Sequence, residues 1–390
     1  MGSVVQWVNS SVEEKLNGTQ EATTVVPVAV QVYCVGFDSF HKSYALAHGY
    51  VSLFVCLFGL VGNSLSIVVL TRKEILSSTN AILTGLAVAD NVVLLEYIPY
   101  VVHMYFLVNR PLSEKFSYPW SLFVLIHSCI TQVFHTISIW LTVLLAVWRY
   151  LSVAYPLYSR QRCTLDRALV AILIAYIGSP ILCLPQFFSF TIKEANESAG
   201  RAHSANATSN VTLYTVGYSD LAQANGRFLQ NANFWTYSVV IKIIPCITLT
   251  ILSIQLIRAL ISARERRDKL KHRPVTSSVI ERGGETNTNT NAAATAASVA
   301  SKSKVDGERG PDRTTRMLVA VLVLFLITEF PQGILALLSG ILGGDFFKHC
   351  YSKFGEIMDI LALVNSAINF ILYYVMSAQF RQTFLRLYKR

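Results

Sequence analysis

The sequence predicts an all-α membrane protein, a bundle of seven transmembrane helices followed by a short amphipathic eighth, and three observations carry that prediction. Hydrophobic residues make up 53% of the 390 and charged residues only 14%, whereas about 25% of an ordinary soluble domain is charged. Seven runs are long and nearly free of charge, and a helix needs about 20 apolar residues to cross roughly 30 Å of hydrocarbon. Most of the 33 lysines and arginines fall on segments that such a topology puts on one side of a membrane.

The runs lie at 49–71, 79–106, 120–149, 168–192, 233–262, 314–342 and 354–376, each long enough to span with some tilt. They form a seven-helix domain over 49–376, preceded by a polar tail over 1–48 and interrupted by two long polar segments, 193–232 and 263–313. The last of these, rich in Asn, Thr, Ala and Ser from Glu281 to Gly310, has too little apolar area to offset chain entropy and is expected to be disordered. Over 377–390, Phe380, Phe384, Leu387 and Tyr388 share one face and Arg381, Arg386, Lys389 and Arg390 take the rest. That is the pattern of an interfacial helix.

Orientation follows from two independent signals. The segments after runs one, three, five and seven are strongly basic and the remainder is net negative, which puts the N-terminus outside the plasma membrane. The N-x-S/T acceptors Asn9, Asn17, Asn196, Asn206 and Asn210 all fall in segments assigned to the outside, as glycosylation requires. Topology therefore explains the net charge of +10 better than nucleic-acid binding does. No signal peptide is evident at the start, and Gln6 stands where a myristoylation motif wants Ser or Thr. The first run is expected to act as the signal anchor.

The chemistry inside the bundle narrows the function further. No nucleophile motif, phosphate loop or Cys/His cluster of metal spacing occurs, so the chain is not read as an enzyme and no resident cofactor is expected. The halves show no internal repeat, against an inverted-repeat transporter. Polar residues inside a bilayer are costly and need partners or a wet cavity. Asn63, Asp90, Glu96, His103, His127, His135, Lys242, Glu329, Asp359, Asn365 and Asn369 form that set. Each is either a functional group or interhelical hydrogen-bond glue.

Gly62-Asn63, Leu86-Ala87-Val88-Ala89-Asp90, Trp148-Arg149-Tyr150, Pro245, Phe330-Pro331 and Asn369-Phe370-Ile371-Leu372-Tyr373 recur in order along the runs. In that order they resemble the signature positions of the rhodopsin-like G-protein-coupled receptors. Phe40-His41 with His48-Gly49-Tyr50-Val51-Ser52, residues 79–90, 95–100 and 135–150, and Thr328-Glu329-Phe330-Pro331 further resemble the arthropod myosuppressin receptors of the FMRFamide-like peptide group. The resemblance implies a heterotrimeric G protein as partner, weakly favouring the inhibitory class, and arrestin as a second; no Ser/Thr-rich tail follows the last helix, so either segment 274–310 supplies phosphosites such as Thr276, Ser277 and Ser278 or the chain is truncated. Contact of the basic run from Arg264 to Arg273 with the G protein or with anionic lipid is expected as well.

Residue by residue, the resemblance implies that Asp90, Ser138, Asn365, Ser366 and Asn369 converge on an allosteric sodium ion, with a water-filled polar network as the alternative. Arg149 is the switch, with Trp148 replacing the neighbouring acid that would hold it, and with Tyr150, Pro331 and Tyr373 as further moving parts. Glu329 stands where a tryptophan toggle usually sits and needs a partner, for which Lys242 is the candidate. An amine receptor would carry Asp at Thr131, and a retinal protein Lys at Leu363, so both ligand classes are unlikely by that comparison. Glu96, Tyr97, Tyr100, His103, Glu356 and Asp359 instead make an acidic, aromatic mouth suited to a peptide ending in Arg-Phe-amide. Glu96 and Asp359 are the expected partners of its arginine. An alternative ligand is a myoinhibitory or sex peptide, and a remoter reading is a channel or transporter. The usual outer cystine is missing, and Cys34 and Cys350 are the two cysteines in segments assigned to the outside, so a disulfide between them is expected.

Overall fold

The computed structural model describes residues 34, 36–107, 109–195, 212–271, 310–343, 346 and 350–388. Seven helices among them are long and apolar enough to cross a membrane. They are α1 (Phe37–Leu70), α2 (Ser78–Val101, continued by a π turn over Val102–Phe106), α3 (Tyr118–Ala154), α4 (Leu165–Leu182), α5 (Ile244–Lys271, preceded by Phe228–Trp235 and a π-helical stretch Thr236–Ile243), α6 (Gly310–Leu342) and α7 (Gly355–Ala367, resuming as Asn369–Met376). A final helix, α8, covers Ala378–Tyr388. The glycosylation acceptors Asn9, Asn17, Asn196, Asn206 and Asn210, and Thr276, Ser277 and Ser278, lie outside the described residues.

Local chemistry sets the boundaries. Ser77 caps α2 by accepting from the Asn80 amide at 3.2 Å, and Pro119 occupies the first turn of α3, where a missing N–H costs nothing. Helix α4 turns Leu169, Leu173, Ile174, Ile177 and Ile181 outward, the surface expected of a helix against lipid. The apolar face of α8 packs back on the bundle, with Phe380 against Phe370 and Tyr373 and Phe384 against Phe370 and Tyr374.

Two elements differ from the sequence reading. Helix α1 begins at Phe37, inside the stretch assigned to the tail, because its first turns carry Phe40, Tyr44 and His48, which pack on their own helix and on Tyr105 rather than on lipid. Segment 193–232 is not all loop: β1 (Phe190–Ala195) and β2 (Leu213–Tyr218) pair antiparallel with Phe190 opposite Tyr218. The hairpin is held at α3 by the Tyr214 N–H donating to the Phe116 carbonyl at 2.8 Å and by Ser121 Oγ donating to the Tyr214 carbonyl at 2.8 Å. Leu213 and Val216 anchor it in the apolar core of α2 and α3.

Close helix approach depends on missing side chains. A Cβ on Gly59 of α1 would stand 2.6 Å from Leu94 Cδ1 and 2.9 Å from the Ala367 Cα, so neither α2 nor the α7 backbone has room for it. Gly59→Ala is therefore expected to destabilise the protein by about 1–3 kcal/mol, the usual cost of overpacking. A lowered melting temperature of the purified protein is the check. The mouth end is closed covalently by a disulfide between Cys34 and Cys350, 316 residues apart in sequence, joining the start of α1 to the approach to α7. Both thiols are expected to resist alkylation until reductant is added. Serine at both positions is expected to cost about 2–4 kcal/mol, read in the same melting assay.

Candidate functional site

Polar side chains occupy the bundle axis in layers. At the mouth, His48 Nε2 lies 3.1 Å from Tyr97 Oη, and Tyr97 donates to Asp359 Oδ2 at 3.5 Å, joining α1, α2 and α7. Tyr105 donates to Glu356 Oε1 at 2.9 Å, while Glu356 Oε2 is buried with no hydrogen-bond partner. Just outside the spans, Tyr351 accepts from Tyr237 and Gln332; burial pushes its phenol well above the usual value, so it stays neutral. His48 was not assigned a role from sequence. The available signal was a histidine immediately before the apolar first run.

Deeper, α2 and α3 are joined through Glu96. Its Oε1 lies 3.1 Å from His127 Nδ1 and its Oε2 accepts from Thr131 Oγ1 at 2.8 Å. Tyr100 stacks on His127 with ring centroids 5.1 Å apart. Glu96 is thus already held on both oxygens, unlike Glu356. His103 departs from the expected lining: it stacks on Trp120 at 3.5 Å and meets the Lys115 carbonyl at 3.4 Å, engaged with the α2–α3 connection.

The floor of this region is a charged cluster on four helices. Lys242 Nζ donates to Glu329 Oε2 and lies 2.8 Å from His135 Nε2, which is itself 3.1 Å from Glu329 Oε2. Asn365 Nδ2 donates to Glu329 Oε1 at 3.2 Å. Lys242 and Glu329 are both 0% exposed. Both His135 contacts fall on Nε2, the nitrogen between ammonium and carboxylate, while its Nδ1 has no hydrogen-bond partner. Local backbone places Lys242 here: it sits in the π stretch ahead of Pro245, which has no N–H to give the preceding turn.

Below the floor, Asp90 Oδ1 accepts from Ser138 Oγ at 2.8 Å and its Oδ2 from Asn369 Nδ2 at 2.8 Å. Ser366 lends its carbonyl to Asn63 at 2.9 Å. Asn365 does not join Asp90, because its amide is committed to Glu329 one turn nearer the mouth. Through Asn365 and Asn369, α7 therefore ties the charged floor to the Asp90 layer, a link that residue types alone did not specify.

A cavity runs from this layer toward the face opposite the mouth, with Ser138, Asn365 and Asn369 at one end and Arg149 and Tyr373 at the other. Its walls include Leu86, Leu145, Leu249, Leu324 and Phe325. Arg149 and Tyr373 also border a second, smaller cavity that reaches Ser377 and Phe380 at α8. Among the described residues no carboxylate pairs with Arg149. Trp148 packs into the apolar core around α4, and Tyr150 meets Tyr155 edge to face at 6.1 Å. Pro331 lies inside α6, two residues beyond Glu329.

Comparison with known proteins agrees with this layout. The family described as serpentine type 7TM GPCR chemoreceptor Srw matches residues 50–390. The G-protein coupled receptor dmsr-1 of Caenorhabditis elegans is 33% identical over 370 residues, covering 90% of this chain and 70% of that protein. The sex peptide receptor of Drosophila melanogaster is 27% identical over 87% of this chain and 72% of its own length. The FMRFamide receptor of the same fly is 24% identical over 86% of this chain and 52% of its own. Seven membrane-length helices, an eighth packed beneath them and a family match over nearly all of that architecture have one conclusion: the chain belongs to the seven-transmembrane G-protein-coupled receptors, signalling receptors rather than enzymes.

Proposed function

We propose that this receptor answers a neuropeptide ending in Arg-Phe-amide, of the myosuppressin kind, from the plasma membrane with its N-terminus outside. The observation that carries the reading is the unpartnered Glu356 Oε2 beside Asp359 and a wall of tyrosines. A buried carboxylate oxygen without a partner is costly, and a guanidinium supplies the planar donors that satisfy it. Glu96, by contrast, has both oxygens engaged, so Glu356 with Asp359 takes the arginine. Relatives named for FMRFamide and sex peptide support a peptide ligand.

Peptide stabilises the arrangement in which the cavity at Arg149 opens, and a heterotrimeric G protein, of the inhibitory class by resemblance, stabilises the same arrangement from the other face. A sodium ion beside Asp90 and Ser138 opposes both, and arrestin acts through hydroxyls of the long inner segment. The test is G-protein activation in cells bearing the receptor at the surface, challenged with amidated Phe-Leu-Arg-Phe, the same peptide with citrulline for arginine, and a tryptophan-bearing myoinhibitory peptide. The first is expected to act selectively. A preference for the third favours the sex-peptide-like reading, to which the similarity with the Drosophila sex peptide receptor lends weight. Silence to all three ends the Arg-Phe assignment.

A further inference from the structure

Two buried glutamines lie one turn nearer the mouth than the charged floor. Gln132 is three residues before His135 on α3, which runs away from the mouth, and Gln332 is three residues after Glu329 on α6, which runs toward it. Residues three apart share a helix face, so the 3.1 Å contact of His135 with Glu329 sets the two glutamines on facing surfaces about 4.5 Å closer to the mouth. They are 3% and 2% exposed. Gln132 Nε2 has no hydrogen-bond partner, and neither has Gln332 Oε1. The other end of Gln332 is engaged, donating to Tyr351. The two side chains thus offer one spare donor and one spare acceptor, both cut off from bulk water.

Buried polar atoms are normally satisfied, and exceptions ask for an explanation. A primary carboxamide supplies one: its carbonyl accepts from Gln132 and its N–H donates to Gln332. A carboxylate has only acceptors and would set an oxygen against Gln332 Oε1. Lys242 beneath has two of its three donors taken by Glu329 and His135, and the Glu329 carboxylate offsets its charge. The nearby charge of Glu96, held at Thr131 beside Gln132, adds to the repulsion.

We infer that Gln132 and Gln332 read the C-terminal carboxamide of the ligand and set its preference over the free acid. This rests on the peptide reading above and gives the bound chain a direction. The amide lies deepest, against the charged floor, and the preceding arginine reaches back toward Glu356, nine residues before Asn365 on α7 and so about 13 Å above the floor.

The test uses the full receptor at the cell surface, with amidated Phe-Leu-Arg-Phe and its free acid as probes. Wild type is expected to respond to the amide at concentrations at least 100-fold lower than to the acid. Gln332→Met, which keeps length and loses polarity, is expected to weaken the amide about 10-fold and leave the acid nearly unchanged, shrinking the preference, whereas Gln132→Met removes a donor that either form can use and is expected to weaken both about 10-fold. Gln332→Lys, which offers donors to a carboxylate, is expected to raise potency of the acid. Equal wild-type potency of amide and acid overturns this inference alone, as do a Gln332→Met variant that weakens both peptides by the same factor and a Gln132→Met variant that leaves the amide unchanged. Wild-type silence to the amide, with receptor counted at the surface, overturns the peptide reading and this inference with it.

Discussion

Lys242→Met is expected to remove about 3–5 kcal/mol of stability, because it leaves the Glu329 carboxylate buried at 0% exposure without its counter-ion. Folded proteins hold only about 5–15 kcal/mol in reserve, so the variant is expected to reach the surface poorly and melt well below wild type. Neutralising both partners, as Lys242→Met with Glu329→Gln, is expected to recover most of that loss, since a pair removed together strands no charge. The pair then separates structure from signalling. If the cluster transmits ligand binding, the recovered double variant sits at the surface and answers peptide weakly. If it is only a bridge, signalling returns with stability. Exchanging the charges, as Lys242→Glu with Glu329→Lys, makes the same distinction more sharply. Asn365 Nδ2 donates to Glu329 Oε1, so an ammonium at 329 would face a donor, and α7 would lose its tie to α6 even though the ion pair persists. The exchanged receptor is expected to fold and to signal poorly. Normal signalling from it would sink the ligand-sensing role.

Much of this architecture is legible in the sequence because lipid imposes a single demand, long apolar runs, and hydropathy registers it directly. What hydropathy registers is contact with hydrocarbon, which is why it misplaces the start of α1. Phe40, Tyr44 and His48 extend that helix beyond the apolar run by packing on rings, and nothing in the run's composition announces them. The β1–β2 hairpin is similarly silent, since its hold on α3 is two hydrogen bonds rather than a covalent link with a recognisable residue type. Within the bundle, residue type says that Lys242, Glu329, His135 and Asn365 need partners, but not which. Asn365 turning to Glu329 instead of Asp90, and Glu96 being used by His127 and Thr131, are decisions of rotamer and helix rotation. The π stretch before Pro245 adds a local rotation that a regular 3.6-residue reading of α5 misses. Gln132 and Gln332 escaped notice for another reason. Uncharged amides are ordinary interhelical glue, and only their unpaired atoms distinguish them.

Trp148→Asp is expected to lower ligand-free signalling at least fivefold, at unchanged surface level. Arg149 lines the cavity that opens toward the face opposite the mouth, and no described carboxylate pairs with it, so its guanidinium is available to a partner helix without first breaking an ion pair. An acid at the neighbouring position gives it an intramolecular alternative. Coupling between such a contact and a distant equilibrium is commonly about 1–3 kcal/mol, or 5–150-fold in population. The substitution also removes an indole that packs against the core around α4, which by itself loosens the helix pair. Trp148→Ala therefore serves as the reference: it removes the same ring and adds no charge. Signalling in the aspartate variant is expected to fall below that of the alanine variant, and peptide is expected to restore it at higher concentration, because ligand now works against an added restraint. Equal basal activity in the two variants would mean that Arg149 is held by something other than charge, with Tyr373, which borders the same two cavities, as the residue to test next.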